Sequence, residues 1–181
     1  MATSPAPTKV VTGSVRLSYV HLVEPWSNDP EKEKKYSCTI LIPKSDRATI
    51  GKIEAAIKVA TQNGKEKVFS GKIPSNLKTT LHDADEEADL ERNPEMAGHM
   101  YMALSSKRKP GLVDADLNPI LDASEIYSGC WGRVSMNAFP YSNSGNKGIS
   151  FGLNNVQKLR DDEPLGVAPT TAEEDFSDDL I

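Results

Sequence analysis

Between Gly129 and Ser142 the residues alternate in kind without a break. Cys130, Gly132, Val134, Met136, Ala138 and Pro140 are small or apolar, whereas Trp131, Arg133, Ser135, Asn137, Phe139 and Tyr141 are aromatic, cationic or hydrogen-bonding. A period of two sends the two sets to opposite faces of a β-strand. One face can enter a core, and the other presents three aromatic rings, a guanidinium and two small polar groups. The turn Asn143-Ser144-Gly145-Asn146 follows, then a second strand-like run from Lys147 to Leu159. A glycine between two asparagines is a strong hairpin signal.

The rest of the chain supplies further strands and one helix. Val10 to Val23 alternates, with Val15, Leu17, Tyr19 and His21 expected on one side and Arg16, Ser18, Val20 and Leu22 on the other. Tyr36 to Ile42 is β-branched and almost continuously apolar, and Pro43 ends it. Ser45 to Gly64 reads as the main helix: Ser45 is a candidate N-cap, Ile50, Ile53, Ile57 and Ala60 fall on one stripe, and Asn63-Gly64 is a stop signal. Lys72 to Leu81 reads as a short strand. In Gly98 to Ser106, Met100, Met102 and Leu104 form an apolar face opposite His99, Tyr101, Ala103 and Ser105. Five to six strands with one main α-helix point to a mainly β, OB-fold-like antiparallel barrel, the common nucleic-acid binder among small barrels.

Charge is segregated. Residues 161–181 hold Asp161, Asp162, Glu163, Glu173, Glu174, Asp175, Asp178 and Asp179 and no base, which leaves 21 bases against 18 acids in the rest. A second acidic block runs from His82 to Glu95. Outside these two stretches the chain is basic, an electrostatic cue for a polyanionic partner. The division expected is a flexible leader over 1–9, one binding domain over 10–160 and a disordered acidic tail over 161–181. No run approaches the roughly 18 apolar residues of a membrane helix, and the N-terminus lacks an export-type apolar run, so a cytoplasmic location without membrane contact is expected. Cys38 and Cys130 read as reduced, buried thiols. Three histidines without ligand spacing predict no metal and no cofactor.

The candidate site follows from what unstacked bases need: flat π-surfaces with cations alongside. Tyr101, Trp131, Phe139 and Tyr141 are the stacking candidates. Arg16, Lys107, Arg108, Lys109, Arg133 and Lys147 are the candidates for neutralising phosphates. In the tail, Asp175, Phe176, Asp178, Asp179, Leu180 and Ile181 combine acids with apolar groups. That suits competition for a basic groove and docking in a partner's pocket. The carboxylates Asp83 to Asp89 raise a metal-nuclease reading, but they lie in one local run without the rigid support an active site needs. No phosphate-binding glycine loop or nucleophilic triad is present, so the chain is expected not to be an enzyme. The aromatic face equally suits a protein-interaction or virion-associated barrel. Salt-dependent affinity for oligo-dT separates the two.

The stretches GSVRLSYVHLVEP, KYSCTILIPKSD, YSGCWGRVSMNAFPYSNSGNKGISFGLNNVQKLRDDEPLG and AEEDF resemble the bacteriophage single-stranded DNA-binding protein family, from about Gly13 to Phe176. The resemblance implies an OB-fold, single-strand binding and a part in phage DNA replication, recombination or repair. It also implies an acidic C-terminus that meets replication or recombination proteins. Trp131 stands where related chains often carry Tyr, and the Leu-Ile end departs from relatives that close on Phe. Monomer and dimer are both compatible with the sequence.

Overall fold

A computed structural model describes residues 8–165 and Phe176. The elements in chain order are β1 (Lys9–Val11), β2 (Val15–Trp26), β3 (Lys35–Pro43), α1 (Arg47–Lys67), β4 (Lys78–Thr79), β5 (His82–Asp83), α2 (Ala84–Glu87), β6 (His99–Ser106), β7 (Gly111–Val113), β8 (Trp131–Asn143) and β9 (Asn146–Arg160). Five strands close a ring. β2 pairs antiparallel with β3, β3 with β6, β9 with β8 and β8 with β2, while β6 and β9 run parallel. The last strand is thus inserted between the third and fourth, the Greek-key barrel of the OB-fold expected from the sequence. Two seams are short: β2 meets β8 only at Val15–Gly132 and Arg16–Trp131, and β6 meets β9 only at Ser105–Gly152. β1, β4, β5 and β7 are short additions at the seams and edges.

The β8–β9 hairpin is the longest element pair, registered from Trp131–Arg160 to Asn143–Asn146. Ser144 (φ 49°) and Gly145 (φ 85°) both take the left-handed conformation at its turn, the two-residue geometry that matches strand twist. Val134, Met136, Phe151, Leu153 and Val156 point inward. They meet Val15, Leu17, Cys38, Ile40, Ile42, Met102 and Leu104 in one core. Cys38 and Cys130 are both free and buried there.

Helix α1 shares this core through Ile53, Ala56 and Ala60. Its N-cap is Asp46, one residue later than Ser45: the Asp46 carboxylate accepts from the Thr49 amide at 3.1 Å and its hydroxyl at 2.7 Å. The Thr49 hydroxyl in turn accepts the Gly13 amide at 2.9 Å, fixing the helix start to the break between β1 and β2. The helix also runs through Asn63-Gly64 to Lys67. Gly64 serves close approach here: a Cβ at this position would lie 2.6 Å from Pro140 Cβ. The helix stops at Val68 and Phe69, whose amides both return to the Gly64 carbonyl. Of the strand expected over Lys72 to Leu81, only Lys78–Thr79 forms, because that pair alone finds a partner, in β9.

Candidate nucleic-acid interface

The outer face of β2, β3 and β6 is shaped by a bulge. The register between β2 and β3 shifts between Ser18 and His21, and Tyr19 sits there at φ 48°. The extra residue turns the strand over. Leu22 therefore faces the core, and His21 points outward with Arg16, opposite to the uninterrupted alternation expected from the sequence. His21 stacks on Trp26, with ring centroids 4.6 Å apart and planes within 7°. Burial lowers the His21 pKa, so the imidazole is neutral near pH 7 and the stack is between uncharged rings. Trp26 is 50% exposed and Tyr19 58%. Beside them lie the outward pairs Ser37–Ser105 and Thr39–Ala103, a floor of small side chains. Lys35 is paired with Trp26 at one end. Lys107 reaches Glu33 at 3.5 Å, joining the loop after β2 to the exposed Lys107-Arg108-Lys109 turn after β6.

The other half of this face is covered. Lys44 holds Asp83 at 2.7 Å and Asp85 at 2.6 Å, which pins the acidic block to the barrel. Asp85 also accepts the Gly98 amide, and the Lys44 ammonium is the first cause of its lowered pKa. Glu87 engages His82 at 3.2 Å, and His82 stacks on Tyr101 with centroids 5.2 Å apart. Beneath them Leu41, Ala84 and Met96 form a small second core, with Tyr101 and Leu165 at its rim. The block is thus docked on the barrel, with one helical turn at Ala84–Glu87. One face of Tyr101 is already taken by an internal ring. Among the described residues, no three His, Cys, Asp or Glu side chains gather in a metal-binding geometry.

On β8 the alternation holds: Trp131, Arg133, Phe139 and Tyr141 all lie on the outward face. Around the ring, however, β8 is two strands from both β3 and β6, so this face looks away from the one just described. The candidate residues therefore fall into two groups. Lys107, Arg108, Lys109 and Tyr101 belong to the β3–β6 side, and Arg133, Phe139 and Tyr141 to the opposite side. Arg16 and Trp131 pair at the β2–β8 seam between them. Lys147 is registered against Ser142, on the other face of the hairpin from Tyr141.

At the seam, the first residues of the acidic segment form part of the domain. Asp162 accepts the Trp131 indole N–H at 2.8 Å, and the Arg160 guanidinium lies 4.5 Å from the ring centre. Arg16 donates to the Gly129 carbonyl at 3.0 Å and the Glu163 carbonyl at 2.8 Å, and Leu165 donates its amide to Ser128. Lys158 pairs with Asp161 at 2.6 Å. The Trp131 hydrogen bond, the Glu163 amide and the two nearby arginines keep the Asp162 carboxyl below the usual range. Residues 161–165, assigned to a disordered tail on composition, are thus strapped to the barrel, because cations and amides at the seam satisfy their acids. Phe176 is exposed. Asp175, Asp178, Asp179, Leu180 and Ile181 lie outside the described residues.

The Trp26–His21 pair was not among the sequence candidates. Trp26 ends β2, and the two irregularities in the β2–β3 register bring His21 and Trp26 to one face. An exposed Trp beside a Pro was the pair's one available signal.

A closed Greek-key barrel with exposed stacked rings and lysines against its second and third strands has the layout of oligonucleotide-binding OB-folds. The family model described as the single-stranded DNA-binding protein of Enterobacter phage Enc34 matches residues 8–180, and the chain belongs to that family. It is 29% identical over 176 residues to putative protein p50 of Acyrthosiphon pisum secondary endosymbiont phage 1, covering 94% of this chain and 93% of that one. The barrel is similar to the bacteriophage Enc34 protein solved in complex with single-stranded DNA: TM-score 0.75, 29% identity, 88% of this chain and 90% of that one. Bacteriophage T7 gp2.5, a single-stranded DNA-binding protein, shares the fold at TM-score 0.62 and 14% identity, over 96% and 94% of the chains.

Proposed function

We propose that this protein is a non-catalytic, sequence-tolerant single-stranded DNA-binding protein that coats and protects DNA during phage replication, recombination or repair in the host cytoplasm. The observation that carries the reading is the half-exposed Trp26 stacked on His21, above a floor of Ser37, Thr39, Ala103 and Ser105. A base stacks on the open side of Trp26, and the small floor lets the strand lie close to the sheet. Lys35, Lys107, Arg108 and Lys109 neutralise its phosphates, while Arg16 is held at the seam by Gly129, Asp162 and Glu163. Family membership and the likeness to a protein solved with single-stranded DNA support the same reading. The acidic tail, with Asp175, Phe176, Asp178, Asp179, Leu180 and Ile181, modulates DNA binding and meets replication or recombination partners.

Titration of oligo-dT against duplex of equal length at two salt concentrations tests this. Tighter single-strand binding is expected, with log affinity falling by about 0.7 per neutralised phosphate for each tenfold rise in salt. Absence of salt-dependent binding to oligo-dT would overturn the assignment in favour of a protein-interaction barrel. Labelled single strands incubated with Mg²⁺ or Mn²⁺ should remain intact. Asp83 and Asp85 are held by Lys44, and Glu87 sits on His82.

A further inference from the structure

We propose that the outer face of β8, with β1 and β9 beside it, is a second single-strand-binding surface, so that one barrel holds two separate segments of single-stranded DNA. This rests on the reading that the β3–β6 side holds the first. The two faces are separated by the barrel itself, since β8 lies across the ring from the β3–β6 pair.

Charge selects the ligand class. From Ile126 to Arg160 there is no Asp or Glu, in a chain that carries 26 acids. Arg133 and Lys9 point outward on this face, and among the described residues neither has a carboxylate within ion-pairing distance. The Arg133 Nε donates to the Thr12 carbonyl at 2.9 Å. That bond orients the guanidinium and leaves its two terminal nitrogens for a phosphate.

Ring geometry supplies the stacking surface. On β9, Gly148 stands opposite Tyr141, and Gly152, registered against Asn137, is the diagonal neighbour of Phe139, whose direct partner is Ser150. A Cβ at Gly152 would lie 3.8 Å from the Phe139 ring, and one at Gly148 would lie 2.8 Å from the Tyr141 hydroxyl. The Tyr141 ring thus rests over the Gly148 backbone and the Phe139 ring reaches Gly152, and Phe139 stays 45% exposed among the described residues. Phe139 and Arg133 are six residues apart on one strand face, about 20 Å. Asn137 and Ser135 stand between them as hydrogen-bonding groups. A row of ring, amide, hydroxyl and guanidinium without acids matches bases and phosphates in alternation, better than it matches an apolar protein surface.

Native mass spectrometry of the full chain with oligo-dT of about six nucleotides, near the short end of what one OB barrel covers, tests the proposal. The wild type should saturate at two oligonucleotides per chain. The double variant Arg133→Gln/Phe139→Ala should saturate at one, with the second event weakened at least tenfold and the first unchanged. Trp26→Ala should weaken the first and spare the second. Saturation of the wild type at one, or retention of two by the double variant, overturns the second site and leaves the first standing. A wild type that takes up none sinks both.

Discussion

Trp26→Ala isolates the stacking contribution on the β3–β6 side. One indole face is occupied by His21 at 4.6 Å, so a single face is open and a single base can stack. Stacking of one base on an aromatic side chain contributes about 1–3 kcal/mol, which converts to roughly a 5- to 150-fold loss of affinity. The substitution removes no charge. The slope of log affinity against log salt should therefore be unchanged, with the whole line displaced downward. Lys107→Ala should behave in the opposite way: a smaller loss at low salt and a slope shallower by about 0.7. Because Trp26 is half-exposed and lies outside the main core, its removal should leave the unfolding midpoint nearly unchanged. Fluorescence anisotropy of labelled oligo-dT at four or so salt concentrations reads both intercept and slope. Unchanged affinity of the Trp26 variant would refute the stacking role. A loss accompanied by a flattened slope would show that the residue acts by positioning lysines and not by stacking.

Gly64→Ala should destabilise the fold even though alanine is the better helix former. The helix gains about 1 kcal/mol, but a Cβ 2.6 Å from Pro140 forces a rigid ring in β8 to shift, at about 1–3 kcal/mol, for a net loss of up to about 2 kcal/mol in a urea midpoint assay. A raised midpoint would contradict the packing. Asp162→Asn should flatten the acid limb of stability. The folded carboxyl lies below its unfolded value near 3.9, so its contribution is present above that pH and lost as pH falls through the folded value. Thermal midpoints followed from about pH 5.5 to 3 read this, and parallel curves for variant and wild type would count against it. Cys38, buried and with its thiol pushed up to about 12, should react with an aromatic disulfide reagent at pH 8 only on unfolding. Rapid labelling of the native chain would mean that the β3 side of the core opens.

Local patterning was legible because its physics is local. The in–out alternation of Trp131 to Tyr141 and the turn at Ser144-Gly145 are set by neighbours in the chain, and both stand in the structure. The order of strands around the ring is set by distant pairings. Period-two reasoning therefore places Tyr101 and Trp131 outward without revealing that β6 and β8 look in different directions. The bulge at Tyr19 turns His21 outward and Leu22 inward through one backbone conformation that a tyrosine does not advertise. Composition failed where ion pairing decided the outcome. Lys44 orders the acidic block, and Arg16, Lys158 and Arg160 order residues 161–165, through partners remote in sequence.

The strap over the seam bears on where this chain can be shortened. A cut at Arg160, the natural place to remove acidic residues by composition, would strip the carboxylate from the Trp131 indole and the carbonyl from Arg16, and would take Leu165 from its contact beside Leu41. A cut after Leu165 keeps those bonds. Comparing the two truncations would show which changes in behaviour come from losing the distal acids and which from fraying the barrel's rim.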